Sequence, residues 1–339
     1  MDARRKRFLI AVVGILTIGL FFASSVFAAP IVLRYAGNFP AKHFQTTMMY
    51  EWAKLVETRS NNRVKIEVYP AAQLYSDKDL DRALVSGAVD LGQAQPNVLA
   101  GISPSMIILE FPLVWEDWDH FDRVYHNGGW KIMDDEAREH NMKEVFFMPY
   151  GSTVGPITVK KKVVTHEDLK GLKIRTPGGD LATAMKALGA TPAFISAGEV
   201  YIALQRGIID GVVSGVTSMN DRKWGEVTKY LWDLNYVPST SGHTVANLNS
   251  WNKLPPDIQK IMLDTGREIE KKYRKEVIDK EEADARAALI KQGVEIVVPS
   301  AEEKAVCYEL VKPLRKAWEV KSKYCKALFE LAEKERKKK

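Results

Sequence analysis

The sequence predicts an α/β chain of two lobes, each a mostly parallel sheet flanked by helices. Three observations carry that reading. Strand-like and helix-like patterns alternate along the first two thirds of the 339 residues, as expected of a parallel sheet with crossover helices. Ala83-Leu84-x-x-Gly87-x-x-Asp90 returns as Ala203-Leu204-x-x-Gly207-x-x-Asp210, each copy a helix end, a glycine cap and a strand start. The length, about 310 residues beyond an N-terminal leader, suits two cores better than one.

Taken in order, the chain opens on a targeting segment. Arg4, Arg5, Lys6 and Arg7 precede an apolar stretch from Phe8 to Phe27, and Val26-Phe27-Ala28 supplies small residues for cleavage, so residues 1–28 read as a removed secretory signal. The stretch is long enough for an uncleaved anchor, but Gly14, Gly19, Ser24 and Ser25 weaken it as a spanning helix. Ile31 to Tyr35 reads as the first strand. An amphipathic helix follows through Met49, Trp52, Leu55 and Val56. Next comes a strand with Val64, Ile66 and Val68 on one face. Ser76 to Asp79 resembles a capping box that opens a helix closed by Gly87. Ligands of open α/β sheets sit beyond the carboxyl ends of strands, which sets Gln93 to Asn97 opposite Val212 to Thr217.

The last third is helical. Pro256 suits a helix start, and a continuous helix to Gly293 would cover about 37 residues and about 55 Å, enough to span both lobes. A break near Gly266 or at Asp279 to Glu282 is the alternative. Cys307 and Cys325 lie about 27 Å apart along one straight helix, too far for a disulfide unless the region folds back at Pro313. The lobes are expected as 29–152 plus 241–280 and 153–240 plus 281–330, with a basic tail at 331–339.

Composition excludes several functions. The formal charge of +6 misleads: the first 28 residues carry four bases and one acid, and the final KERKKK five bases and one acid. The body between them is therefore near neutral, at −1, and offers no nucleic acid a clustered basic face. His43, His120, His126, His140, His166 and His243 form no HExxH pair, and no Cys/His spacing suits zinc. No GxSxG elbow or phosphate-binding GxxxxGK[ST] loop occurs. No catalytic residue, metal or cofactor is expected.

One residue stands out. In Leu172-Lys173-Ile174-Arg175, strand alternation sends Arg175 to the face opposite Leu172 and Ile174, and Pro177 stops the ladder. Such an arginine is ordinarily a surface ion pair or a snorkelling side chain. Its setting argues otherwise. The run DLKGLKIRTP…ALGATP…EVYIALQRGIIDG, within a likeness that extends from about Val32 to Leu328, closely resembles the solute-binding proteins of TRAP (tripartite ATP-independent periplasmic) transporters of the DctP type. The resemblance implies a two-lobe periplasmic binding-protein fold. It also implies a carboxylate solute held by Arg175, small and large integral membrane subunits as partners, and a periplasmic location.

The resemblance also implies a pocket. Asn38 and Gln95 match polar contact positions, although each stands where a turn former would. Ser214 replaces a frequent Asn, Ala197 a frequent aromatic residue, and Gly155 a second arginine. These departures point to one strong anion clamp with added room, and so to a monocarboxylate with a bulky apolar or aromatic body. Phe39, Trp115 and Tyr150 are its candidate walls. Monomer and dimer both stay open, as do a different importer, a chemoreceptor and a periplasmic enzyme acting on a carboxylate.

Overall fold

The structure is a computed structural model that describes residues 29–336 apart from 112–113, 116–117, 154, 178 and 235–236. The signal segment and the end of the basic tail lie outside the described residues. Two sheets form, which include the strands that alternation marks at Ile31 to Tyr35, Val64 to Val68 and Leu172 to Arg175. The first contains β1 (Ile31–Gly37), β2 (Val64–Tyr69), β3 (Leu91–Ala94), β4 (Met142–Thr153) and, late in the chain, β10 (Val237–Asn247), in the order β2-β1-β3-β10-β4. The second contains β5 (Gly155–Thr158), β6 (Lys173–Thr176), β7 (Thr191–Phe194), β8 (Gly211–Ser214), β9 (Tyr230–Trp232) and β11 (Glu295–Val297), in the order β11-β9-β5-β8-β6-β7.

Each sheet has a parallel half that carries the repeated signature. β1 runs parallel to β2 and β3, and β6 parallel to β7 and β8. Gly87 and Gly207 adopt the left-handed conformation, with φ of 77° and 68°, that a glycine reaches without a Cβ penalty. The Asp90 carboxylate accepts the Arg34 amide of β1 at 2.9 Å, and that of Asp210 accepts the Lys173 amide of β6 at 2.8 Å. The echo in sequence is thus one junction built twice, pinning the start of one strand to its neighbour. The helix before the first copy starts later than expected, at Leu80. Ser76 spends its hydroxyl on the Asp79 carboxylate at 2.7 Å, and Asp79 makes no side-chain cap to the helix backbone.

The chain passes between the sheets between β4 and β5, again between β9 and β10, a third time along the late helices before β11, and a fourth time into its last helix. The expected long helix is two helices laid end to end, Pro256–Glu276 and Ile278–Lys291, interrupted at Val277, whose φ of −115° and ψ of −49° leave the regular helix. The first packs on β4 and on the helix Phe44–Arg59, while the second packs on the helix Val216–Asp221. Gly266 does not break its helix. It lets the helix approach β4 so closely that a Cβ there would lie 2.8 Å from Phe146.

The segment 281–330 does not stay with the second sheet. The helices Ala301–Val311 and Pro313–Glu319 pack on Gly179–Ala187, but Lys323–Lys334 packs on Pro104–Glu110, Trp118–Val124 and Trp130–Glu139, the last of which lies on β4. Phe329 makes the connection, with Phe111 at 5.5 Å and Trp318 at 4.7 Å between ring centres. Cys307 and Cys325 are both free and buried.

Gly266→Ala sets two effects against each other. Better helix propensity contributes about 1 kcal/mol, whereas forcing a methyl into packed core costs about 1–3 kcal/mol. The contact is with Phe146 Cβ, which has no freedom to swing away, so a net loss of up to about 2 kcal/mol is expected. Chemical denaturation of both proteins measures it.

Candidate functional site

Arg175 sits in β6, between β7 and β8, with the fully buried Ile174 facing the core beside it. Only 3% of Arg175 is exposed. A guanidinium has five donors, yet among the described residues its one hydrogen bond runs from Nε to the Ile195 carbonyl at 2.8 Å. The Asp77 carboxylate stands 3.8 Å from Nη2, beyond hydrogen-bond distance. Burial lowers the Arg175 pKa to about 10, against the opposing pull of Asp77.

Around this group lies a small cavity of about 70 Å³, room for a few waters. The first lobe contributes Asn38, Phe39, Asp77, Gln95, Glu110 and Tyr150; the second contributes Ala197, Ser214, Ser218, Arg222 and Trp224 beside Arg175. Asn38 follows β1, Gln95 follows β3 and Ser214 ends β8, so the cavity occupies the carboxyl ends of parallel strands from both sheets. Asn38 Oδ1 and Trp224 Nε1 are buried without a hydrogen-bond partner. Such orphan groups are rare in folded proteins and commonly mark a place where something else binds.

Several contacts cross between the lobes. Asp77 accepts the Ser196 hydroxyl at 2.7 Å and the Ala197 amide at 3.3 Å. Arg222 donates from Nη2 to the Asn38 carbonyl at 3.0 Å and covers the Phe39 ring at 5.5 Å. Tyr150 belongs to a stack with Phe39 and the buried His43, at 5.7 and 6.0 Å. Burial raises the Tyr150 pKa, and the hydroxyls of Ser218, Ser214 and Thr217 offset part of that rise. Gly215 allows this approach, because a Cβ there would lie 2.5 Å from Tyr150 Cε1 and 3.0 Å from the Ser152 carbonyl.

The structure therefore gathers Arg175, Asn38, Phe39, Gln95, Tyr150, Ala197 and Ser214 on one cavity. Trp115 is not among them. Its indole donates to the Ile108 carbonyl at 3.0 Å and its ring packs edge-on to Phe121 at 5.2 Å, inside the core. The expectation of a single arginine also needs correcting. At Gly155, with φ of +148°, any Cβ would meet the Trp232 carbonyl at 2.2 Å, so no side chain fits there. A second guanidinium comes instead from Arg222, just beyond the helix Val216–Asp221, where burial lowers its pKa.

Asp77 and Glu110 were also missed. Asp77 lies within Ser76 to Asp79, which reads as a capping box, so its signal pointed to a helix start and not to a cleft. Glu110 had a legible signal, since it is the lone acid in Met106-Ile107-Ile108-Leu109-Glu110-Phe111. It accepts the Asn97 amide at 2.9 Å, and burial pushes its pKa up to about 7.

Comparison with known proteins decides the family. Residues 35–321 match the model of DctP, the bacterial extracellular solute-binding proteins of family 7. The chain belongs to this family. It is 28% identical over 292 residues to a solute-binding protein of Sulfitobacter, covering 86% of this chain and 87% of that one. It is 27% identical over 316 residues to the C4-dicarboxylate-binding periplasmic protein DctP of Rhodobacter capsulatus, covering 91% and 92%. A TRAP periplasmic solute-binding protein of Anaerococcus prevotii, solved with bound D-glucuronate, superposes with a TM-score of 0.82 at 25% identity, covering 90% of this chain and 98% of that one. The chain is accordingly a DctP-family solute-binding protein.

Two predictions follow from the site geometry. Gly215→Ala is expected to wedge the lobes apart, giving a larger radius of gyration in X-ray scattering. The second concerns Glu110, whose carboxyl burial pushes towards the neutral form in the folded protein. Raised from 4.5 to about 7, it contributes stability that is fully present below about pH 4.5 and is lost as pH rises through about 7. Glu110→Gln is expected to flatten that part of the melting-temperature profile across those pH values.

Proposed function

We propose that the protein captures an organic monocarboxylate in the cavity between its lobes and delivers it to the membrane subunits of a TRAP transporter. Arg175 carries this reading: a buried guanidinium, aimed into a cavity, with a single hydrogen bond among the described residues and a carboxylate held at ion-pair distance. A solute carboxylate would form paired, charge-assisted hydrogen bonds with it. Closure of the lobes then removes both charges from water. Low dielectric strengthens their attraction, and the desolvation cost of Arg175 disfavours solutes that lack the charge.

The charge balance favours one carboxylate rather than two. The cavity holds two guanidiniums, Arg175 and Arg222, and two carboxyls, Asp77 and Glu110. In the protonated form of Glu110, which burial favours below about pH 7, a monoanion neutralises what remains. Phe39, Tyr150, Trp224 and Leu181 provide walls for a ring or a bulky apolar body, while Asn38, Gln95 and Ser218 add polar contacts. We read the solute as bound and released unchanged: the lining residues supply hydrogen bonds and charge, without a histidine or cysteine among them. The family draws on an ion gradient, so delivery needs no nucleotide. Residues 1–28 serve as the signal that takes the protein to the periplasm, and the lobes correspond to 29–152 with 241–280 and to 153–240 with 281–330, less the last helix.

A thermal-shift screen of aromatic and branched monocarboxylates, C4-dicarboxylates and uronates tests the solute class. Monocarboxylates are expected to raise the melting temperature. Stabilisation by C4-dicarboxylates alone would overturn the single carboxylate, and stabilisation by uronates alone would overturn the aromatic or apolar body. For whichever acid binds, Arg175→Ala is expected to weaken binding by about 3–5 kcal/mol, as for a broken buried ion pair, hence a few hundred- to a few thousand-fold. Unchanged affinity by calorimetry would remove Arg175 from the site.

A further inference from the structure

A second group of ligand-bearing side chains lies away from the solute cavity. His166 opens the 3-10 turn His166–Leu169 that leads towards β6, and Glu303 and Cys307 stand on the helix Ala301–Val311. Their spacing of four residues sets Glu303 and Cys307 on one face of that helix, and the fold brings His166 against it. His166 Nδ1 lies 2.8 Å from Glu303 Oε1, and Cys307 Sγ lies 3.5 Å from the same oxygen. One ligand atom from each of the three residues lies within 4.8 Å of the others. Bonds of about 2.0 Å to nitrogen and oxygen and about 2.3 Å to sulfur put the ligand atoms of a tetrahedral zinc ion about 3.3–3.7 Å apart. The His166–Glu303 pair at 2.8 Å must therefore open by about 0.5 Å, the Cys307–Glu303 pair at 3.5 Å already fits, and the His166–Cys307 separation, within 4.8 Å, must close by up to about 1.3 Å.

We propose that His166, Glu303 and Cys307 form a binding site for a zinc-like divalent cation, with water in the fourth position. The donor set of imidazole nitrogen, carboxylate oxygen and thiolate sulfur suits a borderline metal and not calcium or magnesium, which take oxygen ligands. The charges also balance: a thiolate and a carboxylate neutralise the two positive charges of the ion, and the imidazole binds neutral. Binding breaks the Cys307 S–H bond, forms a metal–sulfur bond and releases one proton to solvent.

The present contacts show what the metal would replace. Burial opposes ionisation of Glu303, but the His166 amide and ring and the Cys307 thiol together hold its pKa below the usual carboxylate range. Burial, followed by the neighbouring Glu303, pushes the Cys307 thiol up to about 12. A cation between them reverses that second effect, because it stabilises the thiolate that the carboxylate now disfavours. Access is available, since the side chains of His166 and Glu303 stay 19% and 13% exposed. The exposed Glu167, 3.5 Å from His166 Nε2, would orient the ring from its far side. Bound metal would tie the C-terminal helices to the turn preceding the strand that carries Arg175.

The test is titration of the full mature chain, free of any histidine tag, with zinc chloride and separately with cobalt(II). One zinc per chain is expected, together with a thiolate-to-cobalt charge-transfer band and protection of one thiol from alkylation. Cys307→Ala and His166→Gln should each weaken zinc binding at least tenfold, and Cys307→Ala should abolish the band. Cys325→Ala should leave zinc binding and the band unchanged, and Arg175→Ala should leave zinc binding unchanged. A carboxylate-dependent rise in melting temperature in both site variants establishes that they are folded. The proposal is overturned if no stoichiometric zinc binds. It is also overturned if both variants bind zinc as tightly as the unaltered protein, or if the cobalt spectrum lacks the thiolate band. In each of those cases the group is a hydrogen-bonded helix clasp only.

Discussion

A guanidinium taken almost wholly out of water is the constraint around which this molecule is arranged. Arg175 loses most of its hydration at the end of β6 and, among the described residues, recovers one carbonyl hydrogen bond and a carboxylate at 3.8 Å. That deficit falls where the two lobes meet, because Asp77 comes from the first lobe and the Ile195 carbonyl from the second. Parting the lobes returns the charge to water, and closing them without an anion leaves it poorly compensated. The energetics of the charge and the motion of the lobes are therefore coupled.

The backbone supplies the rigidity that such coupling requires. The junctions at Asp90 and Asp210 fix β3 against β1 and β8 against β6, so the strand ends that present Gln95, Ser214 and Arg175 are set by main-chain geometry. Absent side chains matter as much. Gly215 admits the Tyr150 ring between the lobes, and Gly266 lets the helix Pro256–Glu276 lie directly on β4. The lobes are joined by two strand-to-strand passages, by the interruption at Val277, where one helix hands over to the next, and by the step from Pro313–Glu319 to Lys323–Lys334.

Much of this was legible in the sequence. Several strands showed in alternation and the repeated junction in its glycine caps, whereas Arg175 was set apart from a surface ion pair by the family resemblance. Gln95 and Ser214 fall in segments that the fold class sets at strand ends, whereas Asn38 was named only through the family resemblance. What escaped depends on tertiary approach. Arg222 sits in a polar run whose local pattern is that of solvated surface and Asp77 in a stretch that reads as a capping box, and only packing of the opposite lobe buries them. Trp115 misled in the other direction, since an aromatic residue beside prolines and acids serves the core as readily as a pocket. The break at Val277 has no glycine or proline to mark it, and the group formed by His166, Glu303 and Cys307 unites distant segments that no spacing rule connects.

The most direct measurement is a crystal structure of the protein with the acid that binds it most tightly, identified by native mass spectrometry of the purified protein. The account predicts a carboxylate between the lobes with both oxygens hydrogen-bonded to the Arg175 guanidinium. A bound acid whose carboxylate lies elsewhere, with Arg175 still facing only Asp77 and the Ile195 carbonyl, would contradict it.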